Sequence, residues 1–92
     1  MRIREFEWDD GNVPHIELGH GVTPEEAEQV FAIRPLVRRT RQGRHVALGP
    51  SMAGRLLTIV FEDKGAGLAR VITGWDMSPA EHRYYRERSR NR

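Results

Sequence analysis

The sequence predicts an α+β fold: a small antiparallel sheet with helices packed on it. Three observations carry that expectation. Residues 55–62 (RLLTIVFE) and 68–73 (LARVIT) are apolar on both faces, as strands covered from two sides are. Thr23-Pro24-Glu25-Glu26 and Ser78-Pro79-Ala80-Glu81 each place a hydroxyl, a proline and a glutamate where a helix begins. Short turns rich in glycine join the strand segments, so successive strands pair as hairpins while helices segregate to one side.

Along the chain, residues 2–8 set Ile3, Phe6 and Trp8 among charges and read as a first strand. Asp9-Asp10-Gly11-Asn12 is turn chemistry, and Asn12 is expected to cap a short helix reaching about Leu18. Pro14 is tolerated in its first turn, and Gly19 and Gly21 around His20 should break it. Thr23 then caps a helix over about 24–33, with Val22 stapling against Ala27 and Pro35 ending it. Residues 36–49 alternate, Val46 and Leu48 against His45 and Ala47, and form two short strands or one interrupted around Arg41-Gln42-Gly43. Residues 50–54 turn into the 55–62 strand, expected at the sheet centre, and 63–67 turn it back into 68–73. Ser78 opens a last helix over about 79–88 that frays into a basic tail, 86–92. The expected order is strand, helix, helix, strand, strand, strand, helix, in a single domain over 1–92 with its core at about 3–85.

Hydrophobic residues are 38% and charged residues 30% of the 92, a balance that suits a small soluble domain. No apolar run approaches the ~18 residues of a membrane span, and the first residues lack the apolar core of a signal peptide. Without cysteine there is no disulfide and no thiolate metal site, so a cytoplasmic protein is expected. Fourteen of the fifteen basic residues are Arg. Residues 1–33 hold eight acids against Arg2 and Arg4, a net of −6; residues 34–92 hold thirteen bases against five acids, a net of +8. Such segregation predicts a basic surface facing an anionic partner, and the forked guanidinium suits phosphate.

Among groups that could do chemistry, the histidines titrate nearest neutrality. His20, between two glycines, is poorly explained by core packing and stands out as an acid or base; a hydrogen bond to its own loop is the plainer reading. Arg38, Arg39, Arg41 and Arg44 form an acid-free run suited to phosphate, or else a charged edge strand. Arg70 falls among apolar neighbours, so it must face an anion site or pair with a carboxylate such as Glu62 or Asp76. Trp75, after Gly74, could stack on a base or belong to the core. No spacing of His, Asp and Glu suggests a metal site, and no cofactor is expected.

Phe6-Glu7-Trp8-Asp9, Asn12-x-x-His15-Ile16 and His20-Gly21-Val22-Thr23-Pro24-Glu25-Glu26 resemble the N-terminal signature of the BrnT toxin family. The later Arg44, Leu48-Gly49, Arg55-Leu56-Leu57, Arg70-x-Ile72-Thr73, Asp76-Met77-Ser78, Glu81 and Tyr84-Tyr85 continue the resemblance over about residues 6 to 85. It implies a RelE-like fold and a type II toxin–antitoxin toxin: a ribonuclease neutralised by an antitoxin with a ribbon-helix-helix domain. Carried over by position, the matching residues are Trp8, His20, Arg44, Arg70 and the tyrosines Tyr84 and Tyr85. Gly74-Trp75 stands where the family carries Ala-Arg, and Gly19 where most members carry Lys or Arg. Both departures remove positive charge, which implies a weak nuclease.

Metal-independent RNA cleavage needs a base for the 2′-hydroxyl, cations around the phosphorane and an acid for the leaving 5′-oxygen. On this reading His20 supplies the acid or base and Arg44 and Arg70 the clamp. Tyr84 or Tyr85 positions a proton, and Arg38, Arg39, Arg41 and Trp75 hold RNA. The alternative is a catalytically weakened toxin-fold module that binds an antitoxin, a nucleic acid, or both.

Overall fold

Strand β1 (Glu5–Glu7) leads into two helices, α1 (Val13–His20) and α2 (Pro24–Ala32). Four strands follow, β2 (Leu36–Arg39), β3 (Arg44–Pro50), β4 (Leu56–Gly65) and β5 (Leu68–Asp76), and then helix α3 (Pro79–Ser89). The structure is a computed structural model describing residues 2–40 and 42–90. The sheet order is β1-β5-β4-β3-β2, so β4 is central and β5 is its antiparallel neighbour, as the apolar patterning of both segments requires.

Two features differ from expectation. Of the two alternatives for residues 36–49, two short strands form, so four hairpin-linked strands follow the helices where the expected order had three. Gly43, at φ 75°, supplies the left-handed turn that splits them. β1 pairs with β5 in parallel, which makes the sheet mixed, not purely antiparallel. A chain that crosses two helices before returning to the sheet can dock at the far edge in either direction, and local patterning carries no signal of which.

The pleat sorts side chains onto two faces. Leu57, Ile59, Phe61, Ala69, Val71 and Ala47 are fully buried with Ile16 of α1, Val22, and Ala27 and Val30 of α2. This is the helical face. Burying a side chain the size of Phe61 or Ile59 contributes about 1.5–3 kcal/mol. Gly74 belongs to the same face. A β-carbon there would lie 2.7 Å from Ile59 Cδ1 and 3.2 Å from Ile16 Cδ1, so α1 seats directly on the strand. The opposite, open face carries Arg38, Arg44, Val46, Leu48, Thr58, Val60, Glu62, Arg70, Thr73 and Trp75, and α3 crosses it.

Both capping boxes form: Thr23 Oγ1 accepts from the Glu26 amide, and Ser78 Oγ accepts from the Glu81 amide. Asn12 behaves otherwise. It precedes α1 but makes no side-chain cap; its Nδ2 donates to the Glu7 and Val71 carbonyls, both at 2.8 Å, and its Oδ1 accepts from the Asp9 amide. Buried to 2% exposure, it bolts the turn after β1 onto β5. α1 also runs through Gly19 to His20; the break comes at Gly21, whose φ of 65° closes the helix.

Candidate functional site

On the open face, cross-strand pairing builds ordered rows. Arg44 stands opposite Glu62, Glu62 opposite Arg70, and Arg70 opposite Glu7, an alternating ladder of charge across four strands. The next row is Arg38, Val46, Val60 and Thr73; the one after it is Leu36, Leu48, Thr58 and Trp75. α3 lies over this third row, pinned by Glu81. Its Oε1 accepts from the Ser78 amide at 2.8 Å, Trp75 Nε1 at 3.0 Å and the buried Thr58 hydroxyl at 3.1 Å. Burial pushes the Glu81 pKa up, but those donors outweigh it and hold the carboxyl below its ordinary value. Glu81 therefore holds α3 to the sheet as an anion.

One turn beyond Glu81, Tyr84 comes down beside β2. The Arg38 guanidinium lies 5.4 Å from its ring centroid and that of Arg88 lies 5.2 Å away. Neither arginine has a carboxylate partner among the described residues. Two cations gathered on one ring repel each other, and an anion between them relieves the repulsion. Beneath Tyr84 a cavity of about 300 Å³ is lined by Arg38, Val46, Leu48, Ala80, Glu81 and Tyr84. Arg44, half-exposed, stands one row away, and its only ion pair among the described residues is a long one to Glu62 at 4.0 Å.

Several residues singled out in the sequence lie elsewhere. Arg39 points to the helical face, one position out of phase with Arg38, and Arg41 lies outside the described residues. Arg70 is on the open face, but its charge is already matched. Nη1 reaches Glu7 at 2.9 Å and Asp9 at 2.8 Å, and Nη2 reaches Asp9 at 3.0 Å. The guanidinium holds the Asp9 carboxyl below its usual range. The turn closes on it so tightly that a β-carbon on Gly11 would meet Nη2 at 2.9 Å. Glu7 and Asp9, not Glu62 or Asp76, are its partners.

His20 ends α1 on the helical side, its ring 5.9 Å from Trp75 and 6.4 Å from His15. Arg70 stands five residues up β5 from Trp75, roughly 15 Å along the strand. His20 and Arg70, both expected in one site, are thus set apart along β5. Tyr85 is half-buried on α3, and Trp8 packs against the core with its Nε1 donating to Glu28. Trp75 is half-buried, with Nε1 turned to Glu81.

Sequence reasoning passed over Arg55 as a site-forming residue. Its Nε and Nη2 bind both oxygens of Asp76, and Nη1 binds Glu26 at 3.1 Å and the Gly21 carbonyl at 2.9 Å. Nη2 also reaches the His20 carbonyl at 3.4 Å. Arg55 thus ties the His20–Gly21 corner to the end of β5 and sets His20 against Trp75. An arginine opening an apolar strand straight after a glycine turn was the available signal. Among the described residues no group of three or more His, Asp or Glu side chains is arranged to hold a metal ion, and no helix is long and apolar enough to cross a membrane.

Comparison with solved structures yields a match to the ribonuclease toxin BrnT of Brucella abortus. The TM-score is 0.65 over 85% of this chain and 99% of that one, at 18% sequence identity. The chain has the BrnT fold. No protein-family model matches the sequence, and no curated protein matches it. The BrnT resemblance read from the motifs therefore has a counterpart in the course of the backbone, with five strands in a mixed sheet and three helices.

Proposed function

We propose that this chain is a BrnT-like toxin that binds RNA across the open face of its sheet and cleaves it without metal, through attack of a 2′-hydroxyl. The observation that carries the reading is the pair of guanidiniums, Arg38 and Arg88, gathered at the Tyr84 ring with no carboxylate partner among the described residues, with Arg44 one row away. Arginine forks bind phosphate oxygens, and the tyrosine beside them carries a hydroxyl that can donate to a phosphate or leaving oxygen. A phenol is a poor base at neutral pH, so proton abstraction falls to His20, which a strand of RNA would reach past Trp75. By resemblance, the physiological partner is an antitoxin with a ribbon-helix-helix domain.

A second reading rests on a different observation. Arg70 is neutralised by Glu7 and Asp9, and it lies along β5 from Trp75, against which His20 packs. A toxin-fold module with weakened catalysis, binding RNA or an antitoxin, accounts for that separation. Purified protein incubated with structured RNA and with its 2′-deoxy analogue separates the two. Cleavage of RNA alone supports the nuclease; binding without cleavage of either supports the module.

A further inference from the structure

A second basic surface lies on the other side of the molecule. Residues 2–4, the end of α2, the link through Arg34 and Pro35, and Val37 of β2 enclose a groove of about 560 Å³. Its floor is Ile3, Phe31 and Val37, apolar side chains packed on the edge of the core. Its rim is Arg2, Arg4 and Arg34, all exposed and none in an ion pair among the described residues. Among the described residues no carboxylate lines it, although Glu25 and Glu28 line the adjoining hollow on the far side of Arg4 and Phe31. Arg34 is held there in a left-handed conformation, φ 52°, immediately before Pro35.

From this geometry we infer that the groove docks an extended acidic segment of a protein partner, with apolar side chains on the floor and carboxylates against the three arginines. Charge complementarity selects the acid. Arg2 and Arg4 lead into β1, an edge strand of the sheet, where arginines also block edge-to-edge pairing, but Arg34 lies on no strand and has no such role. RNA fits less well. The one aromatic ring of the floor, Phe31, is engaged edge-on by Phe6 at 5.1 Å and Phe61 at 5.0 Å, and offers no free platform for a base.

The test is an amide shift map of the full chain, titrated with a synthetic peptide alternating Glu and Val, with the same peptide carrying Lys for Glu, and with a short single-stranded RNA. The acidic peptide should move amides of residues 2–4 and 31–39, and the Lys peptide should not. Binding should weaken roughly tenfold or more in Arg2→Gln/Arg34→Gln, whose side chains have no partner whose loss would disturb the fold. Shifts by the acidic peptide around Tyr84 instead, shifts of the groove by RNA, or no shift at all would overturn the inference. The wild-type map decides even where the double variant folds poorly. The inference does not rest on the RNA reading, since the two surfaces report at separate amides.

Discussion

Replacing Arg55 by Ala removes one side chain that joins four separate points of the chain, and the cost can be worked from its partners. The pair with Asp76 is bidentate, but the Asp76 side chain is 64% exposed, so solvent screening limits it to about 1 kcal/mol. The bond to Glu26 is better sheltered, with the two side chains 29% and 25% exposed, and contributes about another 1 kcal/mol. The bonds to the Gly21 and His20 carbonyls add about 0.5 kcal/mol together, because both acceptors are exposed and water replaces the donor. The expected loss is therefore about 2–3 kcal/mol, a fall in Tm of roughly 10–20 °C for a domain this small. Acid changes the loss in a defined direction. Arg55 holds the Asp76 carboxyl below its ordinary 3.8, so that share of the stability is complete above the ordinary value and fades as pH falls through the lower, folded one. Thermal unfolding of wild type and Arg55→Ala from neutral pH down to about pH 3 should show a constant gap that narrows only in acid. An unchanged Tm, or a gap that stays constant into acid, would refute this account of the corner.

Three other perturbations have defined outcomes. Glu81→Ala strands the Thr58 hydroxyl, Trp75 Nε1 and Ser78 amide together and should cost about 2–3 kcal/mol in denaturant unfolding; a loss under about 1 kcal/mol would mean that α3 is held some other way. Gly74→Ala drives a β-carbon against Ile59 and Ile16 and should destabilise by about 1 kcal/mol, although the BrnT family pattern carries Ala there; a neutral or stabilised protein would show that α1 has room to shift. Glu7→Gln/Asp9→Asn releases the Arg70 charge onto the open face and should tighten RNA binding and steepen its salt dependence; weaker binding would place RNA elsewhere.

Local chemistry was readable from the sequence. Each capping box spans four residues, so Thr23 and Ser78 announced their helices without reference to the rest of the chain. The two-sided apolar runs of β4 and β5 announced a sheet centre. What escaped were bonds closing over long stretches of chain. Asn12 reads as a cap by residue type, yet its partner at Val71 is 59 residues away. Arg70 reads as needing an anion, but Glu7 and Asp9 become its neighbours only through the parallel docking of β1, which nothing in residues 2–8 encodes. The arginine run looked like one site. Strand alternation sends Arg38 to the open face and Arg39 to the other, and Arg88, which completes the pair around Tyr84, sits in what read as a fraying tail.

That division of the run makes the placing of RNA on the open face directly measurable. The measurement is the slope of log affinity against log salt for a single-stranded RNA, in wild type, Arg38→Ala/Arg44→Ala/Arg88→Ala and Arg39→Ala. Each lost phosphate contact should flatten the slope by about 0.7, so the triple variant should lose about two units while Arg39→Ala keeps the wild-type slope. A triple variant with the wild-type slope, or an Arg39→Ala that loses as much as an open-face arginine, would contradict the assignment of RNA to the face that carries Tyr84.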